Sequence, residues 1–302
     1  QQKGIAILRL HHDSDVAGKF SLTGEGGNAM AEDELPDHND IALILHTSGT
    51  TSRPKIVPLW QSNITASARN IAISLNLTSS DRCMNVMPLF HIHGLIAAVA
   101  SSLSVGASIW CTGGFNAMTF FASMSAAKPT WYTAVPTMHQ AILSRAARNQ
   151  ETIKANPLRF LRSSSASLPA QVMEALREIF KAPVVEAYGM TEATHQMCCN
   201  PLECQKPGSV GVPAGPKVRI AHERDNHLIK GIGEVVISGP NVTPGYESNP
   251  DANAKNFFEA EGKRWFRTGD QGFFDQEGFL ELTGRLKEII NRGGEKISPL
   301  EV

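Results

Sequence analysis

Much of what commonly announces a binding partner is missing from this chain of 302 residues. Its 28 Lys and Arg are matched by 29 Asp and Glu, a net charge of −1. That excludes the basic field of a nucleic-acid binder and the acidic tail of a charged-partner binder. Cysteine is scarce: Cys83, Cys111, Cys198, Cys199 and Cys204 make five, an odd number with no double CxxC. Cys199 and Cys204 lack histidines at zinc spacing, so free thiols in a reducing compartment are expected rather than structural zinc or a disulfide framework. The opening "QQKGIAILRLHHD" has no apolar core of the kind a secretory signal needs. The one long weakly polar stretch, residues 94–111, carries four serines and two glycines and reads as a buried helix followed by a strand, not a membrane span. There is no internal repeat and no low-complexity tract. With 42% hydrophobic and 19% charged residues the chain has the composition of a soluble globular protein, and a small molecule is the expected partner.

Length allows a large core and about two domains. Residues 11–40 are polar and Gly-rich without a clear period, so 1–40 reads as a connecting segment with a truncated start. After it the pattern alternates. "IALILHT" (41–47) is a short, nearly continuous apolar run, typical of a strand buried on both faces. Ile64, Ala68, Ile71, Ala72 and Leu75 recur at helical spacing and predict a helix over 62–75. "RCMNVMP", "ASIWCT", "PTWYTAVP", "LRFLRS" and "APVVEAYG" read as further strands. Ser167 and Pro169 start a helix with Val172, Leu176, Ile179 and Phe180 on one stripe. This alternation predicts an α/β fold, a mainly parallel sheet covered by helices over 41–206, with ligands at the carboxyl ends of its strands. The loops 46–55, 163–167 and 188–195 fall there. From 207 to 283 short alternating strands are broken by Gly, Pro and Asp, which predicts a small antiparallel β unit.

"HTSGTTSRPK" (46–55) leaves its strand with hydroxyls, a glycine, a proline and a cation. Successive backbone N–H groups and hydroxyls can cradle phosphate while a lysine supplies charge. The Walker pattern GxxxxGK[ST] is absent, since Lys55 follows Pro54 and precedes Ile56. On local chemistry the stretch fits either a phosphate loop or a polar surface turn.

It does not stand alone. "PLFHIHG" (88–94), "AYGMTEA" (187–193), "RTGD" (267–270) and "GRLKEIINRGGEKIS" (284–298) follow it in order. Together the five stretches resemble the signature set of the adenylate-forming superfamily, over residues 41–302. The resemblance implies that an acid is first activated by ATP to an acyl-adenylate and then passed to the thiol of coenzyme A. It implies that Thr47, Ser48, Gly49, Thr50, Thr51 and Lys55 hold the ATP phosphates, that Thr191 and Ser165 lie beside the nucleotide, and that Glu192 binds Mg²⁺, a hard cation suited to one carboxylate plus phosphate oxygens. Tyr188 would stack on adenine, with Glu186 and Ala187 along the base edge. Asp270 and Arg285 would contact the ribose, Lys287 would be the hinge of a C-terminal cap domain that begins within 284–302, and Gly293 and Gly294 would line the path of coenzyme A. Ser52 and Ile56 stand where the family usually has glycine, which puts the mobility of the phosphate loop in question. The cap supplies a lysine that bridges carboxylate and α-phosphate, and without it this chain is expected to bind ATP but adenylate poorly.

Two histidines in one loop, the serines of "RSSSAS" and His195 close to the metal glutamate call for a second polar or anionic group on the acid. The wording of "PLFHIHGL", "RFLRSSSASL", "EAYGMTEATHQM" and "INRGGEKISP" is most similar to the oxalate–CoA ligase branch. On that likeness His93, Ser164 or Ser165, and His195 become the expected acid contacts, with Lys55, Glu192 and His93 at the chemistry. His91 is expected only to stabilise its loop. A medium-chain or aryl acyl-CoA ligase would want an apolar tunnel, a peptide-synthetase adenylation domain a pocket aspartate, and a non-catalytic nucleotide-binding module remains an alternative. The expected location is inside the cell, cytoplasmic or peroxisomal, any peroxisomal address lying beyond Val302.

Overall fold

The computed structural model describes residues 8–13, 19–24, 35–47, 54–288, 290–292 and 295–297. The chain divides into a unit over residues 1–37 and a unit over 38–302. In the first, β1 (Leu8–His12) and β2 (Phe20–Gly24) form an antiparallel hairpin with Leu10, Phe20 and Leu22 exposed.

The second unit opens with β3 (Ile41–Thr47) and β4 (Lys55–Trp60), an antiparallel pair of their own. This corrects the expectation of a strand buried on both faces. Leu43 and Leu45 turn inward against the core while Ile41 and Ile44 are half in solvent. A continuous apolar run cannot say whether one face or two will be covered, because that depends on which neighbours arrive.

Helix α1 (Gln61–Ser74) follows close to its expected span. β5 (Arg82–Asn85) then leads through a loop into a π-helical segment (His93–Ala100), the short α2 (Ser101–Leu103) and β6 (Ser108–Cys111), so residues 94–111 are a buried helix followed by a strand. Next come α3 (Phe120–Ala127), β7 (Trp131–Ala134), α4 (Pro136–Ala146), α5 (Gln150–Ala155), β8 (Phe160–Ser164), α6 (Ala170–Phe180) and β9 (Val184–Met190). β10 (His195–Cys199) and the short β11 (Val212–Pro213) complete a seven-stranded sheet of order β11-β10-β9-β8-β7-β5-β6. β5 to β9 are parallel, and β10 and β11 are added antiparallel.

Successive residues on these strands feed opposite cores. Cys83, Trp131, Phe160 and Val185 face α1 and the π-helical segment, whereas Met84, Tyr132, Leu161 and Val184 face α3, α4 and α6. Both faces are therefore covered, as a parallel sheet requires. Truncating a side chain such as Leu161, which is 0% exposed, to alanine would cost roughly 2–5 kcal/mol.

The second sheet is antiparallel throughout. It contains β12 (Lys217–Ala221), β13 (Leu228–Ile229), β14 (Gly233–Ser238), then after α7 (Pro250–Asn256) β15 (Phe257–Ala260), the long β16 (Lys263–Phe274) and β17 (Leu280–Arg285). β18 (Ile290–Arg292) and β19 (Glu295–Ile297) form a last hairpin. Among the described residues no helix is long and apolar enough to cross a membrane.

The strand order reverses between β5 and β7: from β5 the chain first runs outward to β6, then returns to build β7, β8 and β9 on the other side. Such a switch point leaves a crevice at the carboxyl ends of the strands. The histidine loop leaves β5 there, Ser165 follows β8, and Thr191 and Glu192 follow β9.

Candidate active site

Two cavities meet at this crevice. The smaller, about 380 Å³, is lined by Glu186, Ala187 and Tyr188 from β9 and by Asp270 and Arg285 from the antiparallel sheet. The larger, about 600 Å³, is lined by Thr47, Lys55, His91, Thr191, Glu192, His195 and Lys287. Ser165, Gly189, Asp270 and Arg285 line both, so the two are one continuous site. Both volumes suit a small molecule.

In the smaller cavity Tyr188 is fixed at its far end. Its hydroxyl donates to Oδ2 of Asp270, and Arg285 Nε donates to Oδ1 at 3.1 Å. The ring plane is thereby set across two sheets, and Asp270 keeps lone pairs for further donors. Burial holds the Tyr188 phenol well above its usual range and also pushes Asp270 up, against the pull of Tyr188 and Arg285. Glu186 accepts from Leu168 N–H through Oε1 at 2.9 Å, and burial raises its carboxyl to about 7.

In the larger cavity Thr47 and Lys55 face each other across the hairpin end. The Lys55 ammonium sits 4.3 Å from the centre of the Tyr246 ring, and the Tyr246 hydroxyl donates to Glu192 Oε1 at 2.8 Å. Burial lowers the Lys55 pKa, Glu192 opposes that, and Lys287 and Lys255 add to it. Glu192 lines this cavity with Oε1 taken by Tyr246, and among the described residues no cluster of three or more His, Cys, Asp or Glu could cage an ion. A divalent cation here would rest on this one carboxylate and on phosphate oxygens. Ser48, Gly49, Thr50 and Thr51 of the expected phosphate loop lie outside the described residues, as do Ser52, Gly293 and Gly294.

The expected acid contacts separate into layers. Ser165 and His195 reach the cavity wall. Ser164 is buried and spends its hydroxyl on the carbonyl of Ala187, at 2.7 Å, holding β8 to β9. His93 is 0% exposed and lies behind Ser165, its Nδ1 3.0 Å from Ser165 Oγ and its Nε2 2.6 Å from Thr133 Oγ1. The His93 and His195 rings meet edge to face at 5.0 Å. His91 accepts the His93 backbone N–H at Nδ1, which steadies the loop. His195 Nδ1 is buried without a hydrogen-bond partner.

The backbone is strained where these groups gather. Ser165 (φ 74°), Thr194 (φ 49°) and His195 (φ 94°) are left-handed although none is glycine. Gly189 has no such φ, yet a Cβ there would come within 2.1 Å of the His195 carbonyl oxygen, so glycine is required for β9 and β10 to close on each other. Such strain persists only where surrounding packing enforces it.

Three partners were not singled out from the sequence. Tyr246 orients Glu192, Thr133 holds His93, and Arg162, 0% exposed on β8, donates from Nη2 to Gln196 Oε1 at 3.1 Å. Arg162 had a signal: a cation inside the apolar run "FLRS" has no solvent to reach. Tyr246 and Thr133 had none beyond ordinary composition.

The AMP-binding enzyme family is matched over residues 2–247, and the chain belongs to that family. An oxalate–CoA ligase of Arabidopsis thaliana is 53% identical to it over 314 residues, covering 100% of this chain and 60% of the relative. An oxalate–CoA ligase of Saccharomyces cerevisiae is 49% identical over 270 residues, covering 87% of this chain and 48% of that one. Among solved structures, O-succinylbenzoate coenzyme A synthetase of Bacillus subtilis in complex with ATP and magnesium ion has a TM-score of 0.78 and 32% identity, over 91% of this chain and 57% of that one. The chain thus spans 60% or less of the length of each of these relatives.

Proposed function

We propose that the protein is part of an ATP-dependent acid–CoA ligase that acts on oxalate. What carries this reading is one continuous site lined by Lys55, Glu192, Ser165 and His195, with the Tyr188–Asp270–Arg285 tether beside them. The likeness to two oxalate–CoA ligases supports the choice of acid.

An oxygen of the acid's carboxylate attacks the α-phosphorus of ATP in line, pyrophosphate leaves, and an acyl-adenylate remains. The thiolate of coenzyme A then attacks the acyl carbon and AMP leaves. The difficulty is bringing an anion up to a polyanion, so preorganised positive charge and donors do most of the work. Lys55 meets the phosphates from the hairpin, and Ser165 and His195 meet the acid. Mg²⁺, held by Glu192 and phosphate oxygens, would neutralise the charge that develops on them. Tyr188 packs on the base, Glu186 and Ala187 flank its edge, and Asp270 with Arg285 takes the ribose. His93 serves by fixing Ser165. Residues 41–206 then form the nucleotide and acid region, 207–283 the β-rich part, and 284–302 the hinge, turning at Lys287. We place the protein in a reducing compartment, cytoplasm or peroxisome, on the strength of five free thiols.

ATP–pyrophosphate exchange by the full-length protein tests this, with oxalate, malonate, acetate, hexanoate and 4-coumarate as acids. Oxalate should drive exchange well above the rest. Exchange driven by hexanoate or coumarate instead would overturn the choice of acid and leave the nucleotide half of the reading in place.

A further inference from the structure

The Arg162 guanidinium is the largest fully buried charged side chain in the described structure, and it stands without a carboxylate. The acidic groups that act on it are Cys83 and Cys199, and burial drives both thiols up, Cys199 to about 11, so neither supplies an anion at neutral pH. Nε has no acceptor at all. A lone buried cation is costly, and apolar side chains of similar volume commonly replace even paired ones without loss of stability. Stability therefore does not explain Arg162.

Its surroundings do. Gln196 is pinned by donating from Nε2 to Ser74 Oγ and to the Ala214 carbonyl, so its Oε1 can only face Arg162. On the other side Nη1 lies 3.4 Å from both Thr133 Oγ1 and His93 Nε2. Guanidinium can only donate. Thr133 Oγ1 can accept twice, but among the described residues its own proton has no other acceptor than His93 Nε2, 2.6 Å away, and a guanidinium donor aimed at Nε2 itself also requires a lone pair there. Either way the His93 proton is confined to Nδ1. Nδ1–H then donates to Ser165 Oγ at 3.0 Å, and because the imidazole no longer takes the serine proton, that proton is left for an acceptor in the cavity.

We infer that Arg162 sets the polarity of the acid subsite from behind, through a one-way hydrogen-bond relay, Arg162 to Thr133 to His93 to Ser165, which presents the serine proton to a carboxylate of the bound acid. This rests on the reading that the larger cavity takes the acid. The relay works with neutral imidazoles. Burial and the Arg162 charge both disfavour the cationic forms of His93 and His195, and His91 and His139 act in the same direction on His93. His139 cannot substitute for Arg162, because its Nε2–H is spent on the Arg162 carbonyl and its Nδ1 on Tyr132. Arg162 is accordingly a positioning residue: it touches neither acid nor nucleotide but fixes which way the last donor points.

Without the guanidinium the relay can reverse. Nε2–H would donate to Thr133, Nδ1 would accept from Ser165, and the serine would turn lone pairs toward an anion. The test is ¹⁵N-histidine NMR of the full-length protein, with the His93 signals assigned by their loss in His93→Phe. The wild type should show Nδ1–H and a bare Nε2, and Arg162→Met should show the opposite tautomer. In parallel, KM for the acid that the exchange panel selects should rise about 10- to 100-fold in Arg162→Met, the span of a lost charge-assisted hydrogen bond, while ATP affinity stays within about twofold. Arg162→Lys should recover part of that loss. A bare Nδ1 or a cationic His93 in the wild type overturns the relay, even if Arg162→Met does not fold. So does an unchanged KM with an unchanged tautomer in a folded Arg162→Met. Since every candidate acid carries a carboxylate, selection of hexanoate in the panel would defeat the oxalate reading and leave the relay measurable on that acid.

Discussion

On the proposed reading, Glu186 gives the nucleotide half of the site a pH signature. Burial raises its carboxyl from an ordinary 4.5 to about 7, one oxygen is committed to Leu168 N–H, and the group lines the smaller cavity. If the second oxygen accepts the 6-amino group of adenine, the bound base favours the ionised form and returns the pKa toward its ordinary value. Adenosine affinity should then rise from pH 5 to pH 8, on the order of 50-fold if the full shift is reversed. Adenosine is the right probe because it has no phosphate to titrate. The sign for stability is opposite. A carboxyl whose folded pKa lies above its unfolded one costs nothing below about 4.5, and its cost grows as pH rises toward 7. Glu186→Gln should therefore stabilise the protein by up to about 3 kcal/mol at pH 8 and about 1 kcal/mol at pH 5. It should also flatten the adenosine profile. With its amide oxygen held by Leu168, glutamine points an NH₂ group at the base, which suits the 6-oxo group of inosine better than the 6-amino group of adenosine. Calorimetry with both nucleosides across that pH range checks each point. Adenosine affinity independent of pH in the wild type, with an unchanged adenosine-to-inosine ratio in Glu186→Gln, would refute the placement of Glu186 at the base edge.

Three further changes are expected. Lys55→Met should weaken ATP binding by about 10- to 100-fold, the span of a lost charged hydrogen bond, and leave adenosine binding unaltered, as equilibrium titration would show. Tyr246→Phe removes the donor to Glu192 Oε1 and should raise the Mg²⁺ concentration needed for half-maximal ATP binding about fivefold, at about 1 kcal/mol of stability. Asp81 is buried, and although burial pushes its carboxyl up, hydrogen bonds from Thr130, Thr78 and Arg159 outweigh that and hold it below its usual range. Its contribution is present above the ordinary aspartate pKa and lost as pH falls through the depressed one, so Asp81→Asn should destabilise by about 2 kcal/mol at pH 7, with the difference closing in strong acid, as denaturant melts would show.

Much of the fold could be read in the sequence because the strands of a two-faced sheet are short apolar runs and the helices between them carry a 3.6-residue stripe. α1, α6, β7, β8 and β9 fall near their expected places for that reason. β3 has an open side where the sequence predicts two covered faces, since the run Ile41–Leu45 is equally apolar on both. In the site, the order of the motifs singles out the residues proposed for the nucleotide, and the two cavities gather those that the structure describes. Depth is what a linear chain withholds. Ser164 and Ser165 are neighbours, yet one hydroxyl is locked between strands and the other meets the cavity, because the backbone turns left-handed at Ser165. Thr133 lies far from His93 in the chain and joins it only where the strand order reverses.

The tether from Tyr188 to Asp270 and Arg285 has a consequence for how the protein could be followed in solution. It spans the parallel and the antiparallel sheet, so a ribose that takes up the lone pairs of Asp270 also alters the electronic environment of a buried phenol. Only three tyrosines are present in the chain. An ultraviolet difference spectrum, corrected for the absorbance of the nucleoside and compared with Tyr246→Phe to separate the other site phenol, should thus register sugar occupancy as a shift of the Tyr188 band. Replacing Asp270 with asparagine should shift that band in the empty protein and mute the response to nucleoside. A fixed internal bond would then double as an optical gauge of the site.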